Sequence, residues 1–361
     1  MRKIEFIYYL LDKNDHPKPP TSLSQSNRLN NVLDGDISYS SLGRLKSSLK
    51  LTIKDLDRLE IDYMNDRINP CVVIDGVETS LGIYLISSPS RNIKATGVTR
   101  DLTCYSKLAL LDRDKVLNRY YIPAGANVVN AVITLLGSNP YHITPSEQTT
   151  RVDREWEVGT AKLDIINDLL DVINYTSLIP DRAGKFVAYP YKEPTEREVE
   201  IEYQSGTHSI ISSEMNEDFD FFDVPNIFIR YTNHVDIHPP LIAVYPIQNG
   251  DEPITLDGNA PNVSSEEVID ISDEITLYDK CKKDAYESRS VYSHLNFTTA
   301  INPIHDYLSC IQVHVGDIHY KFIETSWSFK LQVGALMKHT CRRVVRLNGN
   351  QKNVGNRANS S

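Results

Sequence analysis

The stretch 156–194 constrains the fold of this chain more than any other. Apolar residues Leu163, Ile166, Leu170 and Ile173 recur at intervals of three and four, while Asp164, Asp168 and Asp171 follow a second stripe. That spacing predicts an amphipathic helix over 163–174 with one acidic face. The tetrapeptide Asp181-Arg182-Ala183-Gly184 reads as a turn, because Gly184 can take the positive φ that a tight reversal needs. Phe186 and Ala188 then alternate with Val187 and Tyr189, which predicts a strand over 185–189, and Pro190 and Pro194 discourage further sheet pairing. Helix, turn and edge strand make one supersecondary unit of mixed α/β character.

The flanks are β-rich. Short, turn-bounded segments with β-branched and aromatic residues predict strands over 4–11, 37–39, 47–53, 58–63, 71–74, 79–87 and 96–105, and Asp75-Gly76 is a two-residue hairpin signal. The apolar start, 4–11, is interrupted by Glu5 and followed by no small-residue cleavage site, so it is read as a strand rather than a signal sequence. Residues 106–112 look helical, and 127–136 predict a helix capped by Asn127 and stopped by Gly137. Strands return over 199–203, 208–211, 225–232, 293–300, 309–315, 320–325 and 338–347, around polar loops and a helix over 274–291.

This pattern divides the chain into a first β unit (1–105), an inserted α/β domain (106–197), a second, discontinuous β unit (198–233 with 292–347), a loop-and-helix insertion (234–291) and a flexible tail (348–361). The expected class is α+β, mainly β. No residue-level repeat at a fixed period links the two β units.

Composition narrows the function class. The 361 residues suffice for roughly two to three compact units. A formal charge of −10, from 38 basic and 48 acidic residues, argues against a dedicated nucleic-acid-binding surface. Twenty Tyr against nine Phe suit sheets and interfaces, since tyrosine buries a ring while keeping one end wet. Cys71, Cys104, Cys281, Cys310 and Cys341 are scattered, odd in number and never in C-x-x-C spacing, which reads as reduced, buried thiols of a protein made in a cytoplasm. No stretch approaches the roughly twenty apolar residues that span a bilayer, so membrane insertion is not expected.

An ordered series of segments resembles the tail-hub (baseplate hub or tail-tip hub) proteins of long-tailed bacteriophages. The series includes Arg154-Glu-Trp-Glu-Val-Gly-Thr, Ile165-Ile-Asn-Asp-Leu-Leu, Ile173-Asn-Tyr-Thr-Ser-Leu, the Asp-x-x-Gly turn and Tyr189-Pro-Tyr. Gly82-Ile-Tyr-Leu-Ile-Ser-Ser-Pro, Tyr105-Ser-Lys-Leu-Ala-Leu-Leu, Ile122-Pro-Ala-Gly-Ala-Asn, Phe222-Asp-Val-Pro-Asn and Glu324-Thr-Ser-Trp-Ser extend it over most of 33–347. The resemblance implies two tube-like β-barrel units per subunit and a homotrimer whose six barrels continue a hexameric tube. It also implies partners: the hexameric distal tail or tail-tube protein, the tape-measure protein in the lumen, and receptor-binding fibre or spike proteins. Viral DNA would pass through transiently without specific binding, and the place of work would be the distal tail of the virion. The two barrels should then superpose, with acidic channel-facing strands.

Other chemistries are weaker. Asp164, Asp168 and Asp171 could serve acid and base work in a tail-tip-associated cell-wall hydrolase, the alternative function, but carboxylates at this spacing are expected to be a solvated helix face. No catalytic motif appears, so no enzyme and no cofactor are expected. His234, Asp236 and His238 would share one face of a strand and are the metal candidates, with His314, Asp317 and His319 a lesser set; a solvated edge is the better reading for both. From Thr325 onward there is no Asp or Glu, while Lys330, Lys338, Arg342, Arg343, Arg346, Lys352 and Arg357 accumulate. Lys338, Arg342, Arg343 and Arg346 are therefore the interface candidates for an acidic protein neighbour. Alternation along a strand should keep Arg342 and Arg343 from lining one surface.

Overall fold

The computed structural model describes residues 2–19, 27–55, 61–95, 97–206, 210–219, 224–247, 260–289, 293–316 and 318–343. Its first part is all strand: β1 (Ile4–Leu11), β2 (Val32–Ser40), β3 (Ser47–Lys54), β4 (Arg67–Ile74), β5 (Val77–Ser80), β6 (Tyr84–Lys94) and β7 (Gly97–Ser106). The middle comprises α1 (Leu108–Arg113), β8 (Tyr120–Ile122), α2 (Val128–Leu136), β9 (Tyr141–Ile143), β10 (Arg154–Trp156), α3 (Lys162–Val172), β11 (Ile179–Pro180) and β12 (Phe186–Ala188). Then come β13 (Ile201–Gln204), β14 (Ile211–Phe219), β15 (Ile227–Tyr231), β16 (Ile242–Pro246), β17 (Val263–Glu267), α4 (Glu274–Arg289), β18 (Ser293–Ala300), β19 (Cys310–Val315), β20 (Ile318–Lys330) and β21 (Leu336–Arg343). The class is α+β, mainly β.

Local signals resolve as local structures. Asp75 and Gly76 both take positive φ, the geometry of the hairpin turn between β4 and β5. The Asn127 side chain accepts a bond from Asn130 N, and Gly137 closes α2 at φ 61°. In α3, Leu163, Ile165, Ile166, Leu169 and Leu170 are fully buried, each contributing about 1.5–3 kcal/mol of burial energy. The helix stops at Val172, short of the expected 174, because Asn174 turns to φ 51° and Tyr175 N bonds back to Leu170 O.

Thirteen strands form one sheet in the order β1-β4-β6-β7-β3-β2-β20-β21-β18-β14, with β5 beside β4 and with β13-β19 beside β20. Two six-stranded runs lie within it. By order of appearance, the strands of the first run are β1, β2, β3, β4, β6 and β7, and those of the second are β13, β14, β18, β19, β20 and β21. Both runs have the spatial order first-fourth-fifth-sixth-third-second. One difference separates them: β1 meets β4 antiparallel, whereas β13 meets β19 parallel. In each run the first two strands share a hydrophobic cluster, β1 with β2 and β13 with β14, and the first cluster continues across the join to Trp327, Phe329 and Met337.

The two runs join through β2, which pairs with the second half of β20 from Asp36↔Lys330 to Ser40↔Ser326. Sequence reading separated the two β units and expected β20 only over 320–325; the strand is longer because its far half has this partner. Three further expectations change. Residues 61–63 are not strand, because the Asp62 carboxylate bonds Met64 N and Asn65 N and closes a turn instead. The segment 79–87 splits into β5 and β6 at Gly82, which takes φ 110°. The strand read over 225–232 leaves the second β unit: β15 pairs with β16 and β17 in a separate sheet that packs against α4. The rest of 58–63 and of 208–211, and all of 344–361, including Arg346, Lys352, Arg357 and the expected tail, lie outside the described residues.

Candidate functional site

The acidic stripe of α3 lies on a solvated face, with Asp168 exposed and Asp164 and Asp171 half-buried, and its carboxylates also act as a clamp. Arg44, in the β2–β3 turn, donates to both oxygens of Asp164 and, through Nε at 2.7 Å, to Asp112. Trp156 Nε1 donates to Asp168 at 2.9 Å, and Lys280 of α4 reaches Asp171 at 2.7 Å. Three carboxylates thus tie α3 to the first β unit, to β10 and to α4. The turn 181–184 adds a second tie: Ser80 Oγ donates to Arg182 O, and Arg182 Nη2 donates to His305 O at 2.6 Å, so the turn touches both β units. Gly184, at φ 79°, lies so close that a Cβ would come within 2.9 Å of Ile83 Cδ1 and Lys107 Cδ.

The metal candidates do not gather. Residues 234–238 form a turn, because β15 ends at Tyr231, and the His234 ring faces its own neighbour, with Asp236 N donating to Nδ1 at 3.3 Å. His314 and His319 face each other across the β19–β20 hairpin, Nδ1 to Nδ1 3.2 Å, and Asp317 lies outside the described residues. Among the described residues one group of three possible ligands does assemble, and sequence reading missed it: His305, Glu324 and His339.

This group is completely enclosed, and its bonds can be assigned atom by atom. Thr299 Oγ1 donates to Ala300 O, so it accepts from His339 Nε2 at 2.9 Å. Burial favours the neutral imidazole of His339, so its Nδ1 accepts and Glu324 Oε1, 2.6 Å away, carries the proton between them. His305 Nδ1 donates to Glu324 Oε2 at 2.5 Å, and its Nε2 accepts from Tyr203 OH, which in turn accepts from Asn302 Nδ2. Every donor has an acceptor and the network is neutral. Burial pushes the Glu324 carboxyl well above its ordinary range, holds His339 well below 6.5 and brings His305 down to about 3, all three favouring the uncharged forms. Separations of 2.5–2.6 Å are those of a shared proton; two ligands of one zinc at about 2.0–2.1 Å each would stand farther apart. The arrangement fits a structural pin.

Of the interface candidates, Lys338 is exposed on the outer face of β21. Arg342 and Arg343, contrary to the alternation argument, both line one cleft of about 1070 Å³ between the α/β part, α4 and β21. The Arg343 guanidinium lies over the Tyr320 ring at 3.5 Å. Arg342 Nε is buried there without a hydrogen-bond partner, and burial lowers its pKa against the pull of Glu287. All five cysteines are free and buried, and burial pushes the Cys104 and Cys281 thiols up to about 12. No described helix is long and apolar enough to cross a membrane.

Solved structures superpose on this chain over most of its length. The tail protein from Neisseria meningitidis MC58 superposes with a TM-score of 0.65 at 13% identity, covering 93% of this chain and 96% of that one. The fold is that of a phage tail protein. The 43 kDa tail protein of prophage MuSo2 from Shewanella oneidensis gives a TM-score of 0.65 at 9% identity, over 94% of this chain and 98% of that one. The E. coli c3393 protein, a type VI secretion component described as similar to T4 tail proteins gp27 and gp5, gives 0.54 at 10% identity, over 89% and 76%. No protein-family model matches this sequence, and neither does any curated protein. The tail-protein fold is thus carried by backbone arrangement with little shared sequence.

Proposed function

We propose that this chain is a structural tail-hub protein whose three copies form a ring continuing the tail tube. The observation that carries this reading is the pair of β units with one strand order, already joined side by side through β2 and β20. Two such units per copy let three copies present six near-equivalent faces to a hexameric tube protein and three identical faces to a distal fibre or spike, a geometric answer to a symmetry mismatch. The tail-protein fold supports the setting. On this reading the hub sits at the distal end of the tail, meets the tape-measure protein in its lumen and lets DNA pass without holding it.

The chain has no catalytic duty in this account, because the carboxylates of α3 are engaged as structural ties. Imaging the parent particle tests the assembly: a three-fold arrangement of this chain around an open axis is expected, and a two-fold or six-fold arrangement would overturn it. A turnover assay on purified cell wall tests the rest, with no cleavage expected and sustained cleavage the contrary result.

A further inference from the structure

The seam inside the chain specifies a second seam between chains. β6 and β20 occupy the same place in their units, and their ladders break at the same point. The β20–β21 register slips between Glu324 and Ser326, just past the last β19 pair, Cys310↔Ile323. The β6–β7 register slips between Ile86 and Ser88, just past the last β4 pair, Arg67↔Leu85. Ser88 therefore corresponds to Ser326, Ser90 to Ser328 and Arg91 to Phe329.

Beyond that slip the outer edge of β20 is covered by β2. The same edge of β6, over 88–94, has no strand neighbour among the described residues, and all of it except Asn92 is exposed. An uncovered edge of this length is a template for another strand. The strand equivalent to β2 is β14, the terminal strand of the described sheet: Ile37↔Leu49 matches Glu217↔Leu295, and Tyr39↔Ser47 matches Phe219↔Ser293. Composition is complementary too. The segment 211–219 contains Glu214, Glu217 and Asp218 and no Lys or Arg, whereas 88–94 contains Arg91 and Lys94 and no Asp or Glu.

We propose that residues 88–94 of β6 are the docking edge for β14 of a second copy of this chain, in the register of the internal β2–β20 seam. This rests on the ring reading and gives it residues. Ser38↔Ser328 becomes Asp218↔Ser90, and Ile37↔Phe329 becomes Glu217↔Arg91. Each copy offers one β6 edge and one β14 edge, so the contact is heterologous and closes a ring when its rotation repeats. In the internal seam Leu331 N donates to Gly35 O and Ser41 N donates to Thr325 O, so odd-numbered residues of β20 face β2. Pro89, at the place of Trp327, then faces the partner without an N–H, leaving one rung unmade, while Arg91 and Ile93 supply theirs. The missing rung makes this seam weaker than the internal one and discourages pairing with unrelated strands.

Cysteine trapping tests it. Ser90 and Asp218 fall at a non-hydrogen-bonded pair, where the Cα separation of about 4.5 Å suits a disulfide. Particles carrying Ser90→Cys with Asp218→Cys should give, on oxidation, covalent species up to three chains that collapse on reduction. The internal pair Ser38→Cys with Ser328→Cys should oxidise without any gain in mass. If the internal pair closes and the other does not, in tails that remain three-fold, the seam is wrong and the ring reading stands. If the tails show another symmetry, the ring reading itself fails. Ile93→Pro is the second variant: it removes an outward N–H that the lone chain does not use, at an exposed side chain, so the folded monomer should keep its melting temperature while ring formation falls at least tenfold. Unchanged ring formation would overturn the proposal.

Discussion

The two β units share a strand order but not a core chemistry, and the register relates them position by position. Ile86, Leu102 and Ile53 of the first unit correspond to Glu324, His339 and Thr299 of the second. All six are buried. One unit fills these places with aliphatic side chains and the other with a hydrogen-bonded chain that continues through Tyr203 to Asn302. One topology therefore tolerates either filling, provided that each buried polar atom has a partner. The polar version demands specific partners, so it ties β18, β20, β21, β13 and the loop bearing His305 in one relative placement. The aliphatic version demands only volume.

Replacing equivalent residues should expose the difference. Trp327 is buried in the formed seam, stacked on Tyr39 at 4.6 Å, whereas Pro89 at the same place in the first unit is exposed. Trp327→Ala should cost about 3–5 kcal/mol in denaturant unfolding, and Pro89→Ala within about 0.5 kcal/mol in the lone chain. Equal costs would break the equivalence.

Glu324→Leu orphans His305 Nδ1 and His339 Nδ1 and should cost about 2–4 kcal/mol. Ile86→Leu, a volume-conserving change at the matching site, should cost under about 1.5 kcal/mol. Both are read from chemical denaturation, and a milder effect at Glu324 than at Ile86 would contradict the assigned network. Gly184→Ala probes the tie between the α/β part and the first unit. Its positive φ and the two 2.9 Å approaches should together cost about 2 kcal/mol.

The smallest effect is the most diagnostic. Glu324→Gln keeps an oxygen that accepts from His305 and an amide that donates to His339, so it should change stability by less than about 1 kcal/mol near neutral pH. The pH dependence sharpens this. His305 is held at about 3 in the fold against 6.5 otherwise, so its contribution is complete above pH 6.5 and lost as pH falls through that value. Glu324 is raised, so its contribution is complete below 4.5 and lost as pH rises. The advantage of wild type over Glu324→Gln should therefore shrink between pH 5 and 9, by at most about 1.4 kcal/mol per pH unit. A growing advantage in thermal melts would mean an ionised Glu324.

Much of the local structure was legible because its causes are local. Asp75-Gly76, Asn127, Gly137 and the apolar stripe of α3 act on their immediate neighbours. The strand over 4–11 has the bounds of the apolar run from which it was read. The joining of the units was not legible, since β2 and β20 meet across almost the whole chain. The buried network was equally hidden, its members spread from Tyr203 to His339 with no motif spacing. One signal lay in strand parity: Glu324 shares a face with buried Phe322, and His339 lies between buried Met337 and Cys341. Another was the dipeptide Thr103-Cys104, repeated at Thr340-Cys341 in matching register. The duplication left little else at residue level, because each place in the fold selects for burial and partner rather than for identity. The acidic stripe of α3 was visible, but its role as a clamp depended on Arg44 and Lys280, which only the tertiary structure brings to it.

Copy number tests the central claim most directly. Two equivalent units per chain make six places from three chains, so quantitative mass spectrometry of purified tails should find three copies of this chain for each six-membered ring of tube protein. Six copies for each such ring would give twelve units around the axis and would contradict the account.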